Sequence, residues 1–171
     1  LTAEGCAARL RQHHPVYHFE DQLQGHIAVP AALAEEDFIV RRRDGLYAYN
    51  LAVVVDDMDS GITEIVRGAD LLEPTVRQIA LYQTLGADVP AWVHLPLAVL
   101  ADGNKLSKQN HAPALAQDDV RPALWQALAF LGQCPPPCLR ENTVNEIIAW
   151  GIAHWQLARA PRQQKIVLGA R

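Results

Sequence analysis

The chain of 171 residues is 50% hydrophobic and 20% charged, which is typical of one folded domain and not of a disordered segment. Its apolar runs are all shorter than the roughly 20 residues that a membrane-spanning helix needs, and no basic segment leads into an apolar one at its start. The sequence therefore predicts neither a membrane span nor a secretory signal. Three cysteines, Cys6, Cys134 and Cys138, are too few for a disulfide framework and favour a reducing, cytoplasmic setting.

The net charge of -4 is unevenly distributed along the chain. Residues 1–120 hold 9 Lys and Arg against 17 Asp and Glu, whereas residues 121–171 hold 6 against 2. A basic C-terminal part is compatible with an anionic partner, and it is equally compatible with a solvated surface.

The first part of the chain predicts short elements. Residues 2–13 have the apolar spacing of a helix end, which Pro15 terminates. Residues 15–20 alternate in polarity and predict a strand. Residues 21–36 predict a loop with a short helical turn, and residues 38–40 predict a second strand.

Strand and helix signals alternate in the middle of the chain. The apolar run at residues 51–55 is compatible with a buried strand or a short buried helix, because so short a run has no distinguishing period. Residues 62–67 predict a strand. Pro74 and Gly86 are typical of the first turn and the stop of a helix, and residues 92–100 predict a buried strand.

Helical patterns prevail after residue 117. Asp118 or Asp119 is placed to cap a helix that ends at Gly132, and residues 143–146 have the Thr-x-x-Glu pattern of a capping box. Three tryptophans lie on the apolar stripes of these helices and are expected in the core: Trp125, Trp150 and Trp155. The order of elements predicts an α/β body followed by an all-helical region.

The few lysines of the chain are clustered. There are three, against 12 arginines, and Lys105 and Lys108 flank Ser107 in one Lys-Leu-Ser-Lys loop. Because this loop follows the predicted strand at residues 92–100, its ammonium groups are placed to contact a polyphosphate. On spacing alone, a solvated surface loop explains the two lysines equally well.

This loop and three sequence blocks before it resemble one protein family. Residues 105–109, Lys-Leu-Ser-Lys-Gln, resemble the second signature loop of class I aminoacyl-tRNA synthetases, whose commonest form is Lys-Met-Ser-Lys-Ser. Three upstream blocks at residues 44–57, 61–72 and 94–97 resemble the glutamyl-tRNA synthetase family at the family's spacing. They read DGLYAYNLAVVVDD, GITEIVRGADLL and HLPL. The resemblance is strongest over residues 37–115.

The segment after the loop narrows the resemblance. Residues 109–115 read QNHAPAL, and this segment and the early end of the chain resemble the short paralogues of the family. Those paralogues activate L-glutamate with ATP and join it to the queuosine base of tRNA(Asp), so the resemblance implies a ligase with these substrates. Two alternatives stay open: the catalytic core of a truncated glutamyl-tRNA synthetase, and a non-catalytic RNA-binding remnant. The sequence carries no signal for an oligomeric state.

The resemblance also implies the domain organisation. It places residues 1–36 at the end of a connecting insertion, residues 37–117 in the second half of a Rossmann-like nucleotide-binding domain, and residues 118–171 in a small α-helical region. The family's His-Ile-Gly-His-type motif and zinc-binding cysteines have no counterpart in this chain, which begins at Leu1. We therefore expect the C-terminal portion of an enzyme, and we expect these residues alone to be inactive.

The resemblance assigns glutamate binding to Tyr49 and Arg67. A guanidinium can hold a carboxylate by two parallel hydrogen bonds, and a phenol adds an apolar wall and one hydrogen bond. The alternative for Arg67 is an ion pair with Asp70 or Glu64 on the surface. For Asp57, support of the site and an ordinary helix-end position explain the carboxylate equally well.

The resemblance assigns ATP binding to Lys105, Ser107 and Lys108, with both lysines as catalytic residues. Their charge would stabilise the pyrophosphate that leaves when the glutamate carboxylate attacks the α-phosphate. Mg²⁺ is expected with the ATP phosphates, and zinc is expected only upstream of this chain. No metal ligands are assigned, since the histidines lack a repeated metal-ligand spacing.

Overall fold

The computed structural model describes residues 5–101, 103–104 and 119–168. The chain divides into two compact units, Leu1–His94 and Leu95–Arg171. Both contain helices and strands, so the predicted α/β class is confirmed. Within the described ranges, every helix is too short or too polar to cross a bilayer.

The first unit joins small paired strands to two longer helices. Its elements are β1 (Ala8–Leu10), β2 (His18–Asp21), β3 (Gly25–Ala28), α1 (Ala31–Ala34), β4 (Phe38–Arg41), α2 (Tyr49–Asp59), β5 (Glu64–Gly68), a 3-10 turn (Ala69–Leu71), α3 (Thr75–Leu85) and β6 (Ala91–Leu95), whose last residue begins the second unit. Strand β1 pairs antiparallel with β4, β2 pairs antiparallel with β3, and β5 is hydrogen-bonded to β6. The Gln22 N–H after β2 donates to the Trp92 carbonyl of β6 at 2.9 Å, which ties the β2–β3 hairpin to that strand.

Helix α3 supplies much of the buried surface of the first unit. It follows Pro74 and ends before Gly86, whose φ of 70° is the left-handed conformation of a helix stop, as the sequence predicts. Val76 and Ile79 of α3 are buried together with Trp92 of β6. The same core includes Phe19 of β2, Phe38 of β4 and Val54 of α2, so α3 and β6 pack with the other elements of the unit.

The structure decides three local predictions for the first unit. Residues 51–55, left open between strand and helix, belong to α2. The helix end expected at residues 2–13 is wrong where the chain is described, because Ala8–Leu10 is a strand opposite β4. The loop expected at residues 21–36 also contains β3, which pairs with β2. Strand pairing of these short segments depends on a partner distant in sequence, which local propensity does not report.

Where the structure describes the second unit, it has two helices and a pair of short strands. Its elements are β7 (Leu97–Val99), α4 (Arg121–Phe130), a 3-10 helix (Pro137–Glu141), α5 (Val144–His154), a 3-10 turn (Leu157–Arg159) and β8 (Lys165–Val167). The predicted capping box is confirmed: the Thr143 N–H donates to Glu146 Oε2 at 2.8 Å, and the Glu146 N–H donates to Thr143 Oγ1. The N-cap of α4 is Val120 and not Asp119, although Asp119 Oδ1 accepts the Arg121 N–H at 3.1 Å. Asp118 lies outside the described residues.

Strand β8 corrects the expectation of an all-helical region after residue 117. It pairs parallel with β7, with Leu97 opposite Lys165. The single strand expected at residues 92–100 is also wrong, because β6 and β7 are separated at Pro96. Proline has no N–H to donate to a strand partner, so a continuous ladder is interrupted there.

The tryptophans of the second unit are less buried than their apolar spacing predicts. Trp155 is 40% exposed, so its expected place in the core is wrong. Trp125 is half-buried, its Nε1 donates to the Pro136 carbonyl at 3.0 Å, and the Arg140 guanidinium carbon lies 3.7 Å from its ring centroid. Short helices in a small unit leave one edge of such large rings near solvent.

Candidate active site

Arg67, near the end of β5, is fixed by four hydrogen bonds to neutral groups of described residues. Nε donates to His94 Nε2 at 3.0 Å, and Nη1 donates to Gln78 Oε1 at 2.7 Å. Nη2 donates to the Thr75 hydroxyl at 2.7 Å and to the Leu71 carbonyl at 3.4 Å. A guanidinium has five N–H groups, so these bonds leave one Nη1 N–H for a partner outside this set.

Aromatic packing and burial complete the setting of Arg67. Its guanidinium carbon lies 4.9 Å from the centroid of the Trp92 ring, in cation–π contact. Burial lowers the pKa of Arg67 from its ordinary value, and the nearby Tyr49 and Asp57 partly offset this effect. An arginine stays protonated in proteins despite such a shift, so the site holds a fixed positive charge.

The acceptor of the Arg67 Nε proton is itself held by a buried carboxylate. His94 Nδ1 lies 2.6 Å from Asp21 Oδ2, and both side chains are fully excluded from solvent. Because Arg67 can only donate, His94 Nε2 is the unprotonated nitrogen, and the ring proton lies on Nδ1 towards Asp21. The Asp21 carboxylate, the neutral His94 imidazole and the Arg67 guanidinium are thus linked in series by two hydrogen bonds.

Asp21 is positioned by the turn that follows β2. Its Oδ1 accepts the backbone N–H of Leu23 at 3.0 Å, of Gln24 at 2.8 Å and of His94 at 3.3 Å. Burial, the largest influence, raises the pKa of Asp21, but the hydrogen bonds from the His94 side chain and from these N–H groups outweigh it. The pKa of Asp21 therefore lies below its usual value, and the buried carboxyl is ionised at neutral pH.

Helix α3 supplies the other partners of Arg67. Thr75 and Gln78 lie three residues apart on one helix face, and both are buried. The Thr75 hydroxyl donates to the Leu71 carbonyl at 2.7 Å and accepts from Arg67, and it also lies 3.2 Å from His94 Nε2. Gln78 Nε2 donates to Asn50 Oδ1 at 3.1 Å, so the network extends to helix α2.

Helix α2 brings the other residues singled out from the sequence towards Arg67. Tyr49 is its first residue and is 58% exposed, and its phenol is close enough to influence the pKa of Arg67. Burial raises the pKa of Asp57, and the charge of Arg67 partly opposes this rise. Glu64, one of the alternative partners of Arg67, accepts instead from Gln22 Nε2 at 3.2 Å.

The sequence assigns ATP binding to a loop of the second unit. Lys105, Ser107 and Lys108 lie outside the described residues. In the part of the chain that the structure describes, no group of three or more His, Cys, Asp or Glu side chains is arranged to hold a metal ion.

Sequence reasoning did not single out the side chains that hold Arg67. Asp21, His94, Thr75 and Gln78 are all buried polar residues. His94 had one local signal, since it is an ionisable residue within the apolar run of β6. The partner of such a residue comes from another element, and for His94 it is Asp21, whose turn lies far away in sequence.

Arg67 places a fixed positive charge near the end of β5, and comparison with known families identifies the class of protein that contains it. The model of the catalytic domain of class I tRNA synthetases (E and Q) matches residues 3–149. The chain belongs to this family.

The curated relatives specify the group within the family. A protein from Serratia proteamaculans named glutamyl-Q tRNA(Asp) synthetase is 60% identical over 98% of this chain and 55% of its own length. A protein of the same name from Pectobacterium atrosepticum is 58% identical over 97% of this chain and 52% of its own length. The chain spans about half the length of the curated relatives it matches. These identities confirm the resemblance to the short glutamyl-queuosine paralogues.

Solved structures support the fold. A glutamate-tRNA synthetase from Elizabethkingia anophelis matches with a TM-score of 0.68 at 22% identity, covering 95% of this chain and 36% of its own. A glutamate tRNA ligase from Elizabethkingia meningosepticum, crystallised with its amino acid, matches with a TM-score of 0.62 at 23% identity, covering 85% of this chain and 32% of its own. At these identities the likeness establishes the fold alone.

Proposed function

We propose that the protein carrying this chain activates L-glutamate with ATP and transfers it to the queuosine base of tRNA(Asp) in the cytoplasm. The observation that carries the proposal is the fixed positive charge of Arg67, which four neutral groups hold beside Tyr49. A half-buried guanidinium favours a ligand with a carboxylate. The names of the relatives support glutamate and tRNA(Asp) as substrates.

In this proposal Arg67 binds the side-chain carboxylate of glutamate through the remaining Nη1 N–H, and Tyr49 borders the ligand. A bidentate contact, as the resemblance implies, requires the ligand to displace one existing hydrogen bond. One charge-assisted hydrogen bond contributes about 1.5–3 kcal/mol, enough to favour an acidic amino acid over its amide.

Lys105, Ser107 and Lys108 bind ATP in the same proposal. The α-carboxylate of glutamate attacks the α-phosphate, a P–O bond forms to the amino acid, and pyrophosphate leaves with the displaced electron pair. The two lysines stabilise the negative charge on the leaving group. Mg²⁺ accompanies the phosphates, and the described residues supply no cluster of ligands to it.

The test uses the complete gene product that contains this chain. Pyrophosphate exchange is measured with glutamate and with glutamine, followed by transfer of labelled glutamate to tRNA(Asp) with and without queuosine. We expect glutamate-dependent exchange and labelling that requires queuosine. Labelling of the acceptor end of a glutamate tRNA would favour a truncated glutamyl-tRNA synthetase, and RNA binding without any exchange would favour the non-catalytic alternative.

A further inference from the structure

The orientation of Arg67 depends on the proton position in a buried ring. Nε donates to His94 Nε2 at 3.0 Å, so this nitrogen must be an acceptor. If the proton of the neutral ring moved to Nε2, it would face the Arg67 Nε–H and could be donated only towards the Thr75 hydroxyl, 3.2 Å from Nε2, so the Arg67 contact would be lost. The guanidinium would then turn about its remaining bonds to Gln78, Thr75 and Leu71.

Asp21 determines which ring nitrogen carries the proton. An ionised carboxylate can only accept, so the 2.6 Å contact with His94 Nδ1 requires the proton there and leaves Nε2 free to accept. Three backbone N–H groups orient the carboxylate, which prevents it from turning away from the ring. An amide at this position could donate as well as accept and would no longer define the proton position.

Asp21 also balances the charge of Arg67. The two charged groups lie on opposite sides of a neutral imidazole, and Asp21 and His94 are completely buried. A buried carboxylate is tolerated where hydrogen bonds and an opposite charge compensate for lost hydration. The series of hydrogen bonds from Asp21 through His94 to Arg67 supplies both the hydrogen bonds and the opposite charge. It ends in a guanidinium near the exposed Tyr49.

We propose that Asp21 and His94 are positioning residues, which hold the Arg67 guanidinium in the orientation that receives the side-chain carboxylate of the amino acid substrate. This inference rests on the proposed function, in which Arg67 binds glutamate. Four N–H groups of Arg67 donate to fixed acceptors, and these four hydrogen bonds determine the direction of the remaining Nη1 N–H. The selectivity for glutamate then depends on two residues that do not touch it.

Two amide variants of His94 separate its bond to Arg67 from its bond to Asp21. In His94→Gln the side-chain amide reaches the level of Nε2 and can accept from Arg67. In His94→Asn the shorter amide stays at the level of Nδ1 and can donate to Asp21 only. In the complete gene product, we expect His94→Asn to raise the KM for glutamate about tenfold or more, the scale of one lost hydrogen bond to a charged group. His94→Gln should stay within about threefold of the wild type, which is less than the loss of one such bond.

The KM for ATP and the preference for glutamate over glutamine distinguish a positioning role of His94 from a role in folding only. The KM for ATP should change less than about twofold in both variants, since the loss is confined to one hydrogen bond in the amino acid site. The preference for glutamate over glutamine should fall in His94→Asn in parallel with the rise in KM. The exposed Glu20–His26 pair, also 2.6 Å apart, offers a matched control, and His26→Asn should alter neither constant.

Equal effects of the Gln and Asn variants, or an unchanged KM for glutamate in folded His94→Asn, would overturn the proposal. If both His94 variants fail to fold, Asp21→Asn carries the test, because it preserves the size of the side chain and loses control of the ring proton. An unchanged KM for glutamate in Asp21→Asn would then overturn the proposal. Absence of glutamate-dependent exchange in the wild type would instead refute the proposed function, and this inference with it.

Discussion

The charge of Arg67 makes the sharpest prediction at the scale of single residues. Arg67→Leu removes the group proposed to receive the substrate carboxylate, so we expect the preference for glutamate over glutamine to disappear, chiefly through lost activity with glutamate. Tyr49→Phe removes only one hydrogen bond and should cost about 1 kcal/mol in kcat/KM. Exchange rates with both amino acids in the complete gene product check the prediction. Full discrimination by Arg67→Leu would place the selectivity elsewhere.

Asp21 makes a prediction for the pH dependence of stability. Its pKa is lower in the folded chain than in the unfolded chain, where an aspartate titrates at about pH 4. Its contribution to the free energy of unfolding is therefore complete above that pH and is lost as the pH falls through the folded value. Urea unfolding between neutral pH and pH 3 should show a steeper acid loss for the wild type than for Asp21→Asn. Parallel curves would contradict the prediction.

At the scale of elements, two helix ends use glycine for different reasons. Gly86 after α3 and Gly132 after α4 have φ values of 70° and 72°. A Cβ at Gly86 would meet nothing within 4 Å, whereas a Cβ at Gly132 would overlap the carbonyl oxygen of Arg159. The left-handed conformation alone favours glycine at both positions, and only Gly132 is also enclosed by a neighbouring backbone.

The two alanine variants separate these contributions. Gly86→Ala should lower the free energy of unfolding by about 1 kcal/mol, the cost of a side chain in the left-handed region. Gly132→Ala should lower it by about 3 kcal/mol or more, since the backbone around Arg159 must also move. Chemical denaturation of the 171-residue chain measures both. Equal losses would show that the contact with Arg159 relaxes at little cost.

At the scale of the whole molecule, the chain spans about half the length of its curated relatives. The resemblance places the other ATP-binding motif of the family outside these residues. We therefore expect the 171 residues alone to fold, as circular dichroism would show, and to give no measurable glutamate-dependent pyrophosphate exchange. The Serratia proteamaculans relative provides the matched full-length control. Exchange at a comparable rate by the 171 residues would show that one half of the site suffices.

Local patterns explain which elements were predictable from the sequence. Helix α3 has a proline at its start and a glycine at its end, and α5 begins with a capping box between Thr143 and Glu146. These signals act within one turn of helix, so they hold in any tertiary context. The prominence of Arg67 and Tyr49 came from the resemblance to a family, since neither residue differs locally from a surface residue.

The tertiary structure decided what depends on partners distant in sequence. Strands β1, β3 and β8 form because other strands lie beside them, and their own residues carry weak signals. The side-chain partners of Arg67 come from α3 and β6, and the carboxylate that holds His94 comes from the end of β2. The sequence by itself determined the family, the class and the capped helices, because these follow from contiguous residues. The contact between Asp21 and His94 forms only in the folded chain, because the two residues are 73 apart in sequence. Burial of the Asp21 carboxylate depends on such hydrogen-bond partners.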